Sequence, residues 1–88
     1  MEIVKRAFAG TMESSDAYVE IEPSNSLEIQ VESVVQNQFG AAIEASVSEV
    51  LAACGVAKAN VRVVDRGALD CVIRARVETA VLRGRENA

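Results

Sequence analysis

The side chains that could support covalent chemistry in this 88-residue chain are seven serines and two cysteines. Histidine is absent, so the most common general base and the most common zinc ligand are both missing. A serine hydroxyl without an adjacent base is a weak nucleophile. These residue types argue against a free-standing enzyme, and they predict neither a catalytic residue nor a metal site.

The two cysteines, Cys54 and Cys71, are too few and too widely spaced to indicate a disulfide framework or a CxxC motif. Free cysteine is among the most buried residue types in folded proteins. We therefore expect both to be small buried hydrophobic residues.

Composition and charge restrict the classes of partner. The chain is 50% hydrophobic and 25% charged, which predicts a single folded domain over residues 1–88. A net charge of −4 and an aromatic content of 3% argue against nucleic-acid binding. The sequence contains no apolar run long enough to span a bilayer and no recognisable secretory signal. We expect a cytoplasmic protein without a membrane partner.

Charge is divided unevenly along the chain. Residues 1–57 contain two basic and nine acidic residues, a sum of −7, whereas residues 58–88 contain seven basic and four acidic residues, a sum of +3. This asymmetry fits docking of oppositely charged partners and fits solubility equally well.

The first third of the sequence predicts three strands. Residues 3–10 form the first, and the small polar residues 11–17 form an exposed loop after it. Residues 18–22 and 27–32 alternate between apolar and polar with period two, and residues 23–26 are typical of a turn. This pattern predicts an antiparallel hairpin with its glutamates on the solvent face, where they need no acid/base role.

The remaining sequence predicts two helices around one strand. Apolar residues recur on one helical stripe between 36 and 54, and Gly55 is typical of the residue that follows a helix. Residues 61–64 predict a strand that ends in a turn at 65–67. The segment 69–83 alternates partly like a strand, but its length favours a helix. The stripe of the first helix comprises Phe39, Ile43, Val47, Val50, Leu51 and Cys54. That of the second comprises Leu69, Val72, Ile73, Val77, Ala80 and Val81.

The predicted element order is therefore β-β-β-α-β-α. It places the chain in the α+β class, as a small two-layer domain with two helices on one face of a mostly antiparallel sheet. The residue patterns alone support a binding or interaction domain and no reaction.

Three segments carry a more specific resemblance. Residues 9–16, AGTMESSD, resemble the Ala-Gly-Thr-Leu-Glu-Ser-x-Asp segment near the N-terminus of the citrate lyase acyl carrier proteins, the gamma subunits of that enzyme. The resemblance continues at residues 38–40 (QFG) and at 65–76 (DRGALDCVIRAR), and the chain length agrees. Met12 replaces the expected leucine, which is a change that conserves volume.

This resemblance implies a role for Ser14. In that family the matching serine carries 2'-(5''-phosphoribosyl)-3'-dephospho-CoA, attached covalently through a phosphodiester by a separate prosthetic-group transferase. The thiol of this arm holds acetyl and citryl groups while the alpha (acyltransferase) and beta (lyase) subunits cleave citrate to oxaloacetate and acetate. The resemblance thus implies a phosphoprotein that is a non-catalytic carrier subunit, with Ser14 as its cofactor attachment site.

Several assignments within the matching segments remain open. Ser15 offers a competing hydroxyl, although the position directly after Glu13 favours Ser14. Glu13 and Asp16 fit either a contact with the transferase or simple solvation of the loop. A choice between capping, docking and cofactor contact stays open for the matching residues Asp70, Arg74 and Arg76.

Two other functions compete with a citrate lyase carrier. One is the carrier subunit of a malonate decarboxylase, which uses a similar arm. The other is a small regulatory or assembly module that binds a partner through its charged faces and carries no cofactor.

Overall fold

A computed structural model describes residues 2–34 and 36–85, except for the side chains of residues 36–39. The predicted contribution of Phe39 to the first helical stripe lies outside the described side chains. The described chain has the predicted α+β architecture and element order. The strands are β1 (Ala7–Gly10), β2 (Ala17–Glu22), β3 (Leu27–Ser33) and β4 (Ala59–Asp65), and the helices are α1 (Gln36–Ala53) and α2 (Asp70–Gly84).

The four strands form one sheet in the order β1-β2-β4-β3. The pairs β1–β2 and β2–β4 are antiparallel, whereas β3 and β4 are parallel. The parallel pair is joined through α1, as parallel neighbours require a crossover connection. The prediction of a mostly antiparallel sheet is confirmed.

The predicted antiparallel hairpin between residues 18–22 and 27–32 is wrong. Both segments are strands, but β4 lies between them and pairs with each. Val61 of β4 opposes Ile21 on one side and Ile29 on the other. Period-two alternation identifies a strand and its two faces, but it does not identify the neighbouring strand. A largely buried, β-branched strand such as β4 gains most from the centre of the sheet.

The first strand is shorter than predicted, because residues 3–6 lie outside β1. Ile3 nevertheless reaches the core and is buried. The backbone N–H groups of Val4 and Lys5 donate to the carbonyl oxygen of Gly84 at 2.9 and 3.1 Å. The N-terminal segment is therefore attached to the end of α2 rather than to the sheet.

The core lies between the sheet and the two helices, with α1 packed on β3 and α2 on β1 and β2. The predicted stripe of α1 is confirmed, since Ile43, Val47 and Leu51 are buried. The predicted helix end is confirmed as well, because Gly55 adopts a positive φ of 71° just after α1. Val50 and Cys54 pack against this core while remaining half-buried.

The second predicted helix is also confirmed, with α2 beginning one residue later than predicted. Leu69 does not belong to its buried stripe, because it caps the helix and is 71% exposed. The buried residues of α2 are Ile73, Val77, Ala80, Val81 and Gly84.

The expectation that both cysteines are buried is wrong. Cys54 is half-buried and Cys71 is exposed. Cys71 lies two residues before the buried Ile73, which places it on the opposite side of the first turn of α2.

The face of the sheet away from the helices carries polar and aromatic side chains. Glu20 accepts hydrogen bonds from the Tyr18 hydroxyl and from Arg6, and Arg62 lies between Glu20 and Glu32. The predicted position of the strand glutamates on the face away from the helices is thus confirmed. None of the helices in the described part of the chain is long and apolar enough to cross a membrane.

Candidate functional site

Ser14 lies in the connection between β1 and β2, which we name the serine loop (residues 11–16). Ser14 is exposed, and its neighbours Glu13 and Ser15 are exposed as well. A hydroxyl in this position is accessible to a second protein without any rearrangement of the core.

Two unusual backbone conformations shape the serine loop. Gly10 has a φ of 87°, and a Cβ atom built there would lie 1.9 Å from the carbonyl oxygen of Ala17. Only glycine fits this close approach at the start of the loop. Ser15 has a φ of 66°, which is a left-handed conformation next to the exposed Ser14.

The carboxylate of Asp16 organises the loop from within. It accepts hydrogen bonds from the Thr11 hydroxyl and from the backbone N–H of Ala17, both at 2.7 Å. The Thr11 hydroxyl in turn accepts the backbone N–H of Glu13 at 3.2 Å. The Thr11 and Ala17 hydrogen bonds, together with the guanidinium of Arg76, lower the pKa of Asp16 to about 2. Asp16 is therefore ionised at neutral pH, and its carboxylate holds the loop together.

Arg76 connects this loop to α2. Its Nε and a terminal nitrogen donate to the two carboxylate oxygens of Asp16, each at 3.1 Å. Paired hydrogen bonds of this kind fix geometry as well as adding energy. The structure thus gives Arg76 and Asp16 a role that the sequence did not suggest, which is to brace the serine loop against α2.

The turn after β4 borders the serine loop on its other side. The backbone N–H of Ser15 donates to the carbonyl oxygen of Arg66 at 2.8 Å, and the N–H of Arg66 donates to the carbonyl oxygen of Asp16 at 2.9 Å. The side chain of Arg66 is exposed, and it forms no salt bridge with any other described residue. The turn that hydrogen-bonds to the serine loop therefore carries an exposed arginine without a salt bridge among the described residues.

Arg66 was missed as a site residue by sequence reasoning. It lies in the second matching segment, at 65–76, but nothing in its spacing relates it to Ser14. The pairing of β2 with β4 brings the two together, because the register that aligns Ala17 with Asp65 continues into the loop.

Asp65 fixes the turn on which Arg66 stands. Its carboxylate is buried and accepts hydrogen bonds from the Ser33 hydroxyl at 2.8 Å and from the backbone N–H groups of Gly67 and Ala68 at 3.2 and 2.9 Å. A buried carboxylate requires such donors, and here they define the path from β4 to α2.

A second cluster of charged residues joins the two helices. Arg74 donates to Asp70 and Ser46 and forms a salt bridge with Glu49, and Asp70 also accepts the Ser46 hydroxyl. The Ser46 hydroxyl, followed by Arg74, lowers the pKa of Asp70. These contacts give Asp70 and Arg74 a structural role between α1 and α2.

A pocket of about 340 Å³ opens between the helices, and we name it the interhelix pocket. Ala42 and Ile43 of α1 form one wall, Gly67 and Ala68 of the β4–α2 turn another, and Ile73 of α2 the third. Asp65 and Asp70 also line it. The described residues include no group of three or more acidic or cysteine side chains that could hold a metal ion.

Comparisons with known proteins identify the family of the chain. A family model described as "ACP: Malonate decarboxylase delta subunit (MdcD)" matches residues 4–84. A citrate lyase acyl carrier protein of Haemophilus influenzae strain PittEE is 55% identical over 83 residues, which are 94% of this chain and 87% of the relative. A citrate lyase acyl carrier protein 2 of Salmonella typhimurium strain LT2 is 52% identical over 88 residues, covering 98% of this chain and 91% of the relative.

One solved structure shares the fold. A chain of a Pseudomonas malonate decarboxylase hetero-tetramer, crystallised with malonate, has a TM-score of 0.79 and 25% identity, with coverage of 94% of this chain and 87% of that chain. The fold, the exposed serine loop and these comparisons together define an acyl carrier subunit of the kind found in multisubunit lyases and decarboxylases. Within that class, the chain belongs to the citrate lyase acyl carrier protein family.

Proposed function

We propose that this chain is the acyl carrier subunit of a cytoplasmic citrate lyase and that Ser14 holds 2'-(5''-phosphoribosyl)-3'-dephospho-CoA through a phosphodiester. The observation that carries the proposal is the position of Ser14, exposed on a loop whose neighbouring residues are tied to α2 and to β4. Such an arrangement suits a serine that another protein modifies, because the hydroxyl is accessible while the loop keeps one shape.

Attachment at Ser14 requires a partner enzyme. The serine oxygen forms a bond to the phosphorus of a donor that carries a phosphate-type leaving group, the leaving group departs, and a base of the transferase takes the hydroxyl proton. The described chain therefore needs no base of its own. Arg66 is an exposed cation in the turn that hydrogen-bonds to the serine loop, and it would pair with the anionic phosphodiester that results.

When attached, the group supplies a thiol that holds acetyl and citryl as thioesters. The residues of this chain tether the group and fix the point from which the arm extends. Ser14 limits the acyl group to a small volume around the carrier, which raises its effective concentration at subunits of the same complex. The proposed partners are the transferase and the alpha (acyltransferase) and beta (lyase) subunits.

A carrier role in a malonate decarboxylase is the second candidate, because both the matching family model and the solved structure of similar fold bear that name. The identities of 52–55% to citrate lyase carriers favour citrate. Incubation of the assembled complex with citrate and with malonate separates the two candidates by which acid is cleaved.

Intact-mass measurement tests the attachment site. The chain is produced with its transferase and donor, and we expect a single added mass that is absent from Ser14→Ala. The matched control is Ser15→Gly rather than Ser15→Ala, since glycine accepts the positive φ of residue 15 without strain. We expect Ser15→Gly to keep the added mass. The proposal would be overturned if Ser15→Gly lost the added mass while Ser14→Ala kept it. An active complex with an unmodified carrier would overturn it as well.

A further inference from the structure

The interhelix pocket lies at the same end of the molecule as Ser14. The backbone hydrogen bonds between Arg66 and residues 15–16 place the serine loop directly beside the β4–α2 turn. Gly67, the next residue in that turn, lines the pocket. The serine loop and the pocket are therefore separated by the width of one turn.

Helix α2 supplies a second connection between them. Arg76 contacts Asp16 in the serine loop, and Ile73, one turn earlier on the same side of α2, lines the pocket. A flexible arm that begins at Ser14 thus has the mouth of the pocket within its reach.

The residues that line the pocket are mostly apolar, with two acidic residues among them. Ala42, Ile43, Ala68 and Ile73 present apolar surface. The two acidic residues of the lining differ in their partners, since Asp70 shares Arg74 with Glu49, whereas neutral hydroxyl and N–H groups hold Asp65. A neutral acyl group gains from the apolar walls, while a group with free carboxylates is repelled.

We propose that the interhelix pocket receives the acetyl thioester end of the arm and excludes the citryl thioester. This inference rests on the proposed attachment at Ser14. An acetyl thioester is small and neutral, whereas a citryl thioester carries further carboxylates, which a pocket lined by apolar residues and two aspartates would disfavour. The carrier thereby shelters the acetyl form from water and leaves the citryl form exposed to the subunit that cleaves it.

The test uses the full chain with the arm attached and its thiol acetylated with ¹³C-labelled acetic anhydride. A Cys71→Ser background removes the exposed protein thiol, which would otherwise be labelled as well. Lys5 and Lys58 are also acetylated, and neutral hydroxylamine distinguishes them, because it removes acetyl from the thioester but not from these amides. We expect nuclear Overhauser effects between the acetyl methyl and the methyl groups of Ile43 and Ile73. After exchange of acetyl for citryl, we expect the arm to lose these contacts.

Filling the pocket provides the matched comparison. Ala42→Phe occupies it, and Ala52→Phe adds the same ring at an exposed site ten residues further along α1. We expect spontaneous hydrolysis of the acetyl thioester to accelerate about fourfold in Ala42→Phe, the factor that corresponds to burial of one methyl group. Ala52→Phe should hydrolyse at the unmodified rate. Ala68→Leu fills the pocket from the opposite wall, and it replaces Ala42→Phe if that variant does not fold.

The outcomes separate this inference from the proposed function. The pocket inference alone is refuted if the arm is on Ser14 but shows no contacts with Ile43 and Ile73. Equal hydrolysis rates in both phenylalanine variants would accompany this result. Equal contacts for the acetyl and citryl forms refute the charge selection. A carrier without any added mass on Ser14 refutes the proposed function itself.

Discussion

Arg76 and Asp16 are 60 residues apart in the sequence, yet the guanidinium donates to both carboxylate oxygens of the aspartate at 3.1 Å. This contact joins the last helix to the loop that carries Ser14. It makes the shape of the serine loop depend on the packing of α2 against the sheet.

Replacement of Arg76 tests this connection. We expect Arg76→Gln to lower the free energy of unfolding by about 1 kcal/mol, because the arginine side chain is partly exposed and water replaces part of the lost contact. The KM of the transferase for the carrier should rise more than kcat falls, since the loop would sample other shapes. Urea unfolding and transferase kinetics measure the two effects. Arg62→Gln, which removes a charge on the open sheet face, should change neither KM nor kcat.

The low pKa of Asp16 predicts how stability depends on pH. The folded pKa is about 2 and the ordinary value is 3.8, so the contribution is complete above pH 3.8 and is lost as the pH falls towards 2. We expect it to be about 2 kcal/mol at neutral pH. Urea unfolding of the unmodified chain and of Asp16→Asn should give free energies that converge between pH 4 and pH 2. A difference that stays constant over this range would contradict the assignment.

Two glycines with positive φ provide a matched pair of substitutions. Gly10→Ala should destabilise the chain by about 3 kcal/mol or more. The positive φ is strained for alanine, and the added Cβ would also clash with the carbonyl oxygen of Ala17. Gly67→Ala should cost about 1–2 kcal/mol, since its Cβ meets nothing within 4 Å and only the backbone strain remains. Thermal unfolding of both variants gives the comparison, and equal losses would contradict it.

The two cysteines should differ in their reaction with alkylating reagents. Cys71 is exposed, whereas Cys54 packs against the core, so we expect Cys71 to react first in the native chain. Mass spectrometry of peptides after timed exposure to iodoacetamide measures both rates. Unfolding in urea should bring the rates together, and equal rates in the native chain would contradict the burial of Cys54.

Local sequence patterns were sufficient for the helices and for the faces of the strands. The spacing of Ile43, Val47 and Leu51 predicts the buried side of α1, because one helical turn brings these residues together whatever they pack against. The same reasoning failed for the hairpin, since alternation within a strand carries no information about which strand lies beside it.

The candidate site was likewise predictable from the sequence only in part. The resemblance of residues 9–16 to a known family singled out Ser14 and implied that it is an attachment site rather than a nucleophile. The contacts of Arg66 with the serine loop and of Arg76 with Asp16 had no sequence signal, because each joins segments that are distant in the sequence. Cys71 was misassigned because a residue-type average does not specify the side of a helix.

The sequence by itself determined the types and order of the elements, the charge balance and the serine segment, since all of these depend on neighbouring residues. The tertiary structure decided that β4 lies between β2 and β3, that Arg76 braces Asp16, and that the interhelix pocket opens beside the serine loop. These features depend on how burial and hydrogen bonding are satisfied over the whole chain at once. Segments that are far apart in the sequence become neighbours only when the core forms.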